Sequence, residues 1–318
     1  MSQIDVLSVT KLSPLLEPQL RAVFHLHDRL HETDPAAFAK LAPSIRAIAA
    51  SGESKVPASL IAQLPALEII SVFGVGYDGV DVAAAKARNV MVTHTPNVLN
   101  DDVADLAIGL MLAAARQLPA ADRYVKEGQW PNGPMPLARK VSGARMGIVG
   151  MGRIGQAIAQ RALAFNMSVA YTARSAKANI PHAYYPSATA LAAECDYLVV
   201  ITPGGEGTRK LINAEVLRAL GTKGILVNVA RGSVVDESAL IEALQNGVIG
   251  GAGLDVFEAE PNVPEALRAL PHVVLAPHIG SATSQTRQAM ADLAFNNLKS
   301  HFDGHAVHTP VPECAHKG

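Results

Sequence analysis

A glycine pattern near the middle of the chain constrains the fold more than any other feature of the sequence. The apolar run Arg145–Val149 leads into Gly150-x-Gly152-x-x-Gly155, and an alanine-rich segment follows over 156–164. A strand, a tight glycine turn and a helix start, in this order, are typical of the dinucleotide-binding fingerprint of a Rossmann βαβ unit. The first glycine permits the tight turn, the second lets a pyrophosphate approach, and the third lets the helix pack on the strand. Since the helix N-terminus also offers free N–H groups and a partial positive charge, the sequence predicts a nucleotide site here.

The end of the next predicted strand indicates which dinucleotide binds. NAD sites usually carry an acidic residue about 20 positions after the fingerprint, where it holds the ribose hydroxyls. Residues 156–193 contain no Asp or Glu, and the strand 167–172 is followed by Arg174 and Ser175. A guanidinium and a hydroxyl would bind a 2′-phosphate through charge-assisted hydrogen bonds, whereas an acid would repel it. The sequence therefore predicts NADP, used as NADPH; the alternative is that Arg174 and Lys177 are solvated surface cations.

The composition excludes several classes of protein. The chain has 318 residues, of which 49% are hydrophobic and 17% charged, as expected for a globular protein of about two domains. The formal net charge is −1 without a basic run, so neither nucleic acid nor a membrane surface is predicted as a partner. The most apolar stretch, 103–115, is too short to span a bilayer. Without a recognisable secretory signal, and with only Cys195 and Cys314 as cysteines, a cytoplasmic protein is expected.

Short β-rich runs alternate with helical patterns along most of the chain. Strands are predicted at 4–9, 66–73, 90–93, 145–149, 167–172, 197–201, 225–229, 250–254 and 273–275, and helices at 14–30, 81–88, 100–117, 214–220, 237–245 and 283–302. This alternation predicts an α/β fold with two doubly wound parallel sheets. Because the fingerprint lies in mid-chain, we expect a Rossmann NADP-binding domain, 98–284, inserted into a flavodoxin-like substrate domain made of 1–97 and 285–318.

Three side chains that could take part in catalysis follow predicted strands of the cofactor domain: Arg231, Glu260 and His278. Ligands of parallel sheets lie beyond the carboxyl ends of the strands, so all three are expected near the nicotinamide. Arginine binds a carboxylate through two hydrogen bonds, and histidine exchanges a proton near neutral pH. A carboxylate bonded to the imidazole favours its protonated form. The set is what reduction of a 2-oxo acid requires, although each residue alone could equally be a surface ion pair or a loop residue.

Five motifs along nearly the whole chain resemble the D-2-hydroxyacid dehydrogenase family, and they occur in the family's order. They are Gly74–Asp78, the Gly150–Gly155 fingerprint, Asn228–Gly232, Gly253–Pro261 and Pro277–Gly280. Within the family the chain is similar to the NADPH-dependent glyoxylate/hydroxypyruvate reductase branch, which includes plant-type hydroxyphenylpyruvate reductases. That similarity is carried by Val98–Leu106, Tyr171–Ser175 and Thr286–Leu293. It implies an enzyme that reduces small 2-oxo acids, such as hydroxypyruvate and glyoxylate, to D-2-hydroxy acids.

The resemblance also implies roles for single residues. Arg231 would bind the substrate, Glu260 would partner the histidine, and His278 would be the acid/base. The backbone of Val75 and Gly76 would receive the substrate carboxylate. The cofactor would be bound by Gly150, Gly152, Arg153, Ile154, Gly155, Arg174, Ser175, Val229, Ala230, Asp255 and Gly280.

Two other functions remain open for a chain with these motifs. One is an NAD-linked relative such as a D-lactate or phosphoglycerate dehydrogenase, against which the Arg174 segment argues. The other is a dinucleotide-sensing corepressor of the same fold that works by binding partners. The presence of Arg231, Glu260 and His278 argues against that second alternative.

Two expectations concern assembly and metals. The apolar helix 100–117, the segment around Trp130 and the family resemblance predict a homodimer. No metal is expected in the reaction. His301, His305 and His308 lie close together near the C-terminus, but a glycine interrupts the helix and no carboxylate completes a ligand set.

Overall fold

Two wholly parallel sheets form the framework of the chain, as described by a computed structural model over residues 3–315. The strands of the first sheet are β1 Asp5–Ser8, β2 His25–Asp28, β3 Ile45–Ser51, β4 Ile69–Phe73 and β5 Met91–Thr93. The strands of the second are β6 Arg145–Val149, β7 Ser168–Thr172, β8 Ala183–Tyr184, β9 Tyr197–Val200, β10 Ile225–Asn228, β11 Gly251–Leu254 and β12 Val273–Leu275. Their spatial orders are β2-β1-β3-β4-β5 and β12-β11-β10-β9-β6-β7-β8.

Helices separate most consecutive strands, as parallel pairing requires. They are α1 Glu17–Val23, α2 Leu30–Thr33, α3 Pro35–Leu41, α4 Ala58–Ala62, α5 Val82–Ala87, α6 Asn100–Arg116, α7 Leu118–Lys126, α8 Arg153–Ala164, α9 Ala188–Ala192, α10 Ala214–Leu220, α11 Glu237–Gln245, α12 Glu265–Arg268 and α13 Ser284–Phe302. The architecture confirms the predicted α/β class with two parallel-sheet domains.

The chain divides into two compact units. One runs to Leu99 and resumes at Thr283, and the other is Asn100–Ala282. The first unit holds the five-stranded sheet, and its α13 docks on β4, where the Ser71 hydroxyl donates to the Ala294 carbonyl at 3.0 Å. The second unit holds the seven-stranded sheet. The predicted assignment of 1–97 with 285–318 to substrate, and of 98–284 to cofactor, stays a prediction about the roles of these units.

The second sheet is covered by helices whose contacts depend on glycines. A Cβ at Gly147 of β6 would lie 2.9 Å from both the Cys195 sulfur and Leu191 Cγ, so helix α9 can approach the strand only over glycine. Burial raises the pKa of the Cys195 thiol to about 12, which makes it a core residue without nucleophilic character. A Cβ at Gly253 of β11 would lie 2.9 Å from Leu110 Cβ, so helix α6 packs equally closely on that strand.

The predicted helix 14–30 is wrong in its second half. Helix α1 ends at Val23, and Phe24 takes an extended backbone with φ −117° and ψ 157° because its side chain turns into the core. The residues after it form β2, which pairs in parallel with β1. Polar and apolar residues alternate there, as in a strand with one buried face, but the run of four is too short to stand out in the sequence.

Within residues 3–315, no single helix has the length and hydropathy to cross a membrane. Helices α6 and α7 meet that test together only as a pair bent by 59°.

Candidate active site

The fingerprint turn follows β6, and its three glycines differ in their surroundings. Gly150 has φ +105°, a conformation that side chains disfavour, and a Cβ there would lie 2.8 Å from the Ile201 carbonyl. A Cβ at Gly155 would lie 2.2 Å from the Gly150 carbonyl. A Cβ at Gly152 meets no atom within 4 Å among the described residues, so this glycine leaves open space at the start of α8. The open side of the turn is where a pyrophosphate would approach the helix N-terminus.

Arg153 and Ile154 form the first turn of α8, directly after the N-cap Gly152. Arg153 is exposed and Ile154 is half-buried. The first N–H groups of a helix have no partner within the helix, and a glycine N-cap has no side chain to bind them. The first turn of α8 therefore offers donors to an anion.

The loop after β7 is tied to the fingerprint turn. The ammonium of Lys177 donates to the Met151 carbonyl at 2.7 Å, and the Lys177 amide donates to the Tyr171 hydroxyl at 2.8 Å. The Tyr171 side chain is buried, so both ends of the loop are anchored. Arg174 and Ser175 lie between these anchors and are exposed. A guanidinium and a hydroxyl are thus presented to solvent on a loop that is fixed against the phosphate-binding turn.

Glu260 and His278 form a directed pair. The Nδ1 atom of His278 lies 2.7 Å from Oε2 of Glu260, and the second oxygen of that carboxylate accepts the Phe257 amide at 2.8 Å. Both side chains are half-buried. Because a carboxylate only accepts, the imidazole donates through Nδ1, and a proton exchanged with a ligand would travel on Nε2.

Asp255 fixes the backbone that carries the histidine. Its carboxylate accepts the amides of Ile279 at 2.7 Å and Gly280 at 2.8 Å, and its carbonyl accepts the His278 amide at 2.9 Å. These bonds hold His278 at φ +52°, which is unusual for a residue other than glycine. Asp255 is 1% exposed, and burial raises the pKa of its carboxyl even though the two amides act in the opposite direction. A Cβ at Gly280 would lie 3.1 Å from the Asp255 carboxylate, a tight contact that glycine avoids.

The turn that carries Arg231 is organised by its neighbours. The side chain of Asn228 accepts the Ala230 amide at 3.1 Å and donates to the Arg231 carbonyl at 3.0 Å. Val229 and Ala230, between them, are buried. A Cβ at Gly232 would lie 1.9 Å from the Phe257 carbonyl carbon, so this turn packs directly on the loop that carries Glu260.

Val75 and Gly76 belong to the first unit, where they follow β4 and are half-buried. The Val75 carbonyl accepts a hydrogen bond from His94 Nδ1 at 2.9 Å, and the Gly74 carbonyl accepts the Thr95 amide at 2.8 Å. The turn is therefore held by its carbonyls. Its amides are the groups that the sequence assigns to the substrate carboxylate, and that assignment stays a prediction.

The structure links five of the predicted residues of the second unit to one another. Asp255, Glu260, His278 and Gly280 are joined by hydrogen bonds, and Arg231 is joined to them through the packing of Gly232 on Phe257. The sequence did not reveal that Asn228 organises the turn of Arg231 or that Gly232 packs against Phe257. Nor did it reveal that Asp255 anchors the backbone of His278. The sequence signal for Asn228 is its position, as a polar residue directly after the apolar run 225–227.

The segment that carries this arrangement matches the model of a known protein family. The model of the NAD-binding domain of D-isomer specific 2-hydroxyacid dehydrogenases matches residues 108–280, more than half of the chain. The chain belongs to the D-isomer specific 2-hydroxyacid dehydrogenase family. This confirms the resemblance predicted from the five motifs, and it places the fingerprint turn, Arg231, Glu260 and His278 of this dehydrogenase within the matched segment.

Relatives of this dehydrogenase match over almost its full length. Hydroxyphenylpyruvate reductase of Plectranthus scutellarioides is 48% identical over 98% of this chain and 100% of its own. Glyoxylate/hydroxypyruvate reductase A of Arabidopsis thaliana is 47% identical over the same shares. Among solved structures, the NADPH-dependent glyoxylate/hydroxypyruvate reductase of Sinorhizobium meliloti, in complex with NADP and malonate, superposes with a TM-score of 0.92. It is 46% identical, with 98% of each chain covered.

Proposed function

We propose that this dehydrogenase reduces small 2-oxo acids to D-2-hydroxy acids with NADPH, and that hydroxypyruvate and glyoxylate are its substrates. The proposal is supported by the relatives, which are glyoxylate/hydroxypyruvate and hydroxyphenylpyruvate reductases by name. The observation that carries it is the Glu260–His278 pair, because a nucleotide-binding protein without a reaction has no need of an oriented proton donor.

His278 is proposed to protonate the carbonyl oxygen of the substrate from Nε2. Glu260 orients the ring through Nδ1 and stabilises its protonated form, and the Phe257 amide holds the carboxylate in place. The Asp255 bonds fix the backbone of the histidine, so little reorganisation is needed when the proton moves. The geometry thus supports a general acid in reduction and a general base in the reverse reaction.

Arg231 is proposed to bind the substrate carboxylate and to polarise the adjacent carbonyl. Its planar guanidinium matches a carboxylate through two parallel hydrogen bonds. The Asn228 bonds and the contact of Gly232 with Phe257 fix the turn from which it projects. The amides of Val75 and Gly76 are proposed as further donors to the same carboxylate.

NADPH is proposed as the cofactor, bound by the fingerprint turn Gly150–Gly155 and by Val229, Ala230, Asp255 and Gly280. The fit is supported by the open space at Gly152 and by the exposed Arg174 and Ser175, which would receive the 2′-phosphate. When bound, the nicotinamide supplies the hydride to C2 of the substrate, and the carbonyl oxygen takes its proton from His278.

Hydroxypyruvate is proposed as the best substrate, followed by glyoxylate, with pyruvate poorer because it lacks a hydroxyl to hydrogen-bond. The test is a panel of 2-oxo acids assayed with NADPH and with NADH by the loss of nicotinamide absorbance. We expect kcat/KM for hydroxypyruvate to be the highest, and kcat/KM for NADPH to exceed that for NADH at least about tenfold. A higher kcat/KM for 4-hydroxyphenylpyruvate would reject the ranking, and no turnover with any 2-oxo acid would favour the corepressor alternative.

The working form is proposed to be a cytoplasmic homodimer. Exposed apolar side chains support the dimer, and four of them lie in α7 and the segment after it: Leu118, Val125, Trp130 and Leu137. The apolar helix 100–117, from which a dimer is predicted, gives less support, because Ile108, Leu110 and Met111 of α6 are buried within the chain. The cytoplasmic location is supported by Cys195 and Cys314, which are unpaired thiols.

A further inference from the structure

Three side chains converge at the start of the first sheet, in a place that the proposed reaction does not use. Asp5 begins β1, and His25 and His27 lie in β2. His25 Nδ1 is 3.0 Å from Asp5 Oδ1, and His27 Nε2 is 2.8 Å from the same oxygen. The two imidazole rings are 4.3 Å apart between centroids, and the three ligand atoms all lie within 4.8 Å of one another.

The strand pairing brings these residues together. Asp5 is the register partner of His25, and side chains two residues apart on a strand point to the same face. His25 lies directly beside Asp5 and reaches it with its near nitrogen, Nδ1. His27 lies beside Leu7, two positions farther along, and reaches the same oxygen with its far nitrogen, Nε2. The backbone therefore sets two different ring nitrogens and one carboxylate oxygen around a common point.

Two imidazoles and a carboxylate are a ligand set for a first-row divalent transition ion. Zinc binds histidine nitrogen at about 2.0–2.1 Å and carboxylate oxygen at about 2.0–2.2 Å, which in a tetrahedral site spaces the ligand atoms by about 3.3 Å. The observed spacings of 2.8 and 3.0 Å need only a small outward movement to admit the ion. We propose that Asp5, His25 and His27 form a binding site for Zn²⁺ or a similar divalent transition ion, with water in the remaining positions.

Burial and access are consistent with such a site. The side chain of His27 is 10% exposed and that of Asp5 is 20% exposed, so two ligands are held by their surroundings. The side chain of His25 is 63% exposed, which gives the ion a path from solvent. Calcium and magnesium prefer sets of oxygen ligands and fit this cluster poorly.

The site is separate from the proposed chemistry. Asp5 and His25 are at the amino ends of their strands, whereas Val75 and Gly76 follow the carboxyl end of β4 in the same parallel sheet. The ion would bridge β1 to β2, which is an edge strand of four residues. Its effect is therefore stabilisation of the first unit, and reduction of 2-oxo acids does not need it.

Zinc binding to the intact, tag-free protein is measured by titration calorimetry, with ZnCl₂ as the probe. We expect one ion per chain, and each of Asp5→Asn, His25→Gln and His27→Gln to weaken the affinity at least about tenfold. Glutamine at position 27 keeps a donor for Asp5, so this variant separates metal ligation from hydrogen bonding. His305→Gln removes an exposed imidazole outside the cluster and should bind zinc like the unchanged chain.

Thermal unfolding gives an independent measurement. Zinc should raise the melting temperature of the unchanged chain and of His305→Gln, but not that of His27→Gln, because only a ligand of the folded state stabilises it. Circular dichroism and the rate of NADPH oxidation, both without added metal, establish that each variant is folded. The proposal is overturned by the absence of saturable zinc binding, by undiminished binding in any of the three ligand variants, or by an equal loss in His305→Gln.

Discussion

The proposed role of His278 as a proton donor can be tested by a single substitution. His278→Gln keeps a hydrogen-bond donor but cannot cycle a proton, so kcat should fall by roughly 10²–10⁴-fold. The measurement is steady-state turnover of hydroxypyruvate with saturating NADPH, and NADPH binding by fluorescence should hardly change. A fall of less than about tenfold would assign the proton to another group.

Glu260→Gln tests the partner of the histidine through pH rather than through rate alone. The carboxylate stabilises the protonated imidazole, so without it the ring loses its proton at a lower pH. Reduction needs the protonated form, and the alkaline limb of the kcat profile should therefore move to lower pH. The neighbouring Glu258→Gln is the matched control, since Glu258 is exposed and bonds to Arg209 rather than to the histidine. An unchanged profile in Glu260→Gln would remove Glu260 from this role.

Arg231→Lys separates charge from shape. Lysine keeps the positive charge but loses the planar fork, so kcat/KM for the 2-oxo acid should drop by at least about tenfold. The affinity for NADPH should stay within about twofold. If the loss fell on NADPH affinity alone, Arg231 would be a ligand of the nucleotide and not of the substrate.

The loop after β7 is expected to determine cofactor preference through Arg174 and to support the binding of either cofactor through Lys177. Arg174→Ala removes the partner of the 2′-phosphate, so kcat/KM for NADPH should fall at least about tenfold while that for NADH barely changes. Lys177→Met removes the bond to Met151 and loosens the fingerprint turn itself, so KM should rise for both cofactors. The rise should be about fivefold, which corresponds to about 1 kcal/mol for one hydrogen bond. Equal losses with NADPH and NADH in Arg174→Ala would contradict the assignment.

The start of β6 carries an acid-sensitive contact. Asp196 accepts the Arg145 amide at 2.9 Å and its guanidinium at 3.3 Å. Burial alone would raise the pKa of Asp196, but the bonds from Arg145 outweigh it and lower the pKa below the ordinary 3.8. The stabilisation is thus present above about pH 4 and is lost as the pH falls through the lowered value.

Asp196→Asn should lower the free energy of unfolding by about 1 kcal/mol at pH 7, measured by urea denaturation. The difference from the unchanged chain should shrink toward zero below about pH 3. Glu194→Gln is the control, since Glu194 meets Arg145 only at 3.7 Å and is more than half exposed. A difference that persists unchanged in acid would mean that Asp196 acts through packing rather than through its charge.

Elements with strong local signals were predictable from the sequence, and those determined by distant contacts were not. Helix α6 and strands β6, β10 and β11 follow from apolar runs beside glycines. The sequence predicts a helix where strand β2 forms, because the four residues of β2 are specified by pairing with β1 and not by their own pattern. The proposed metal site depends on that pairing, so the sequence alone did not predict His25 and His27 as ligands.

The candidate site shows the same division. Motifs identified Arg231, Glu260 and His278, because each belongs to a segment that follows a predicted strand. Motifs could not show that Gly232 must lack a side chain, since the atom it avoids belongs to Phe257, 25 positions later. Roles that depend on close approach across the fold become visible only in three dimensions.

The two units have different sheets, and each contains a hydrophobic cluster of its own. Each can respond to its own ligand, the first to the proposed divalent ion and the second to the proposed nucleotide. Unfolding of a chain with two such units is not expected to be a single two-state transition. Zinc should therefore shift one thermal transition and NADPH should shift another, a result that scanning calorimetry can resolve.

Exposed apolar side chains in and after helix α7 predict that the chain forms a dimer. In helix α7 and the segment after it, the side chain of Val125 is 56% exposed and that of Leu137 is 99% exposed, so apolar surface is available here for burial in a dimer. A twofold dimer would cover such a surface with its own copy. Light scattering at micromolar concentration should give twice the mass of the chain. Val125→Glu combined with Leu137→Glu should give the single mass, because the dimer would bury the introduced carboxylates without partners. Val23→Glu, at an exposed apolar position in α1, should remain dimeric, and a monomeric unchanged chain would reject the prediction.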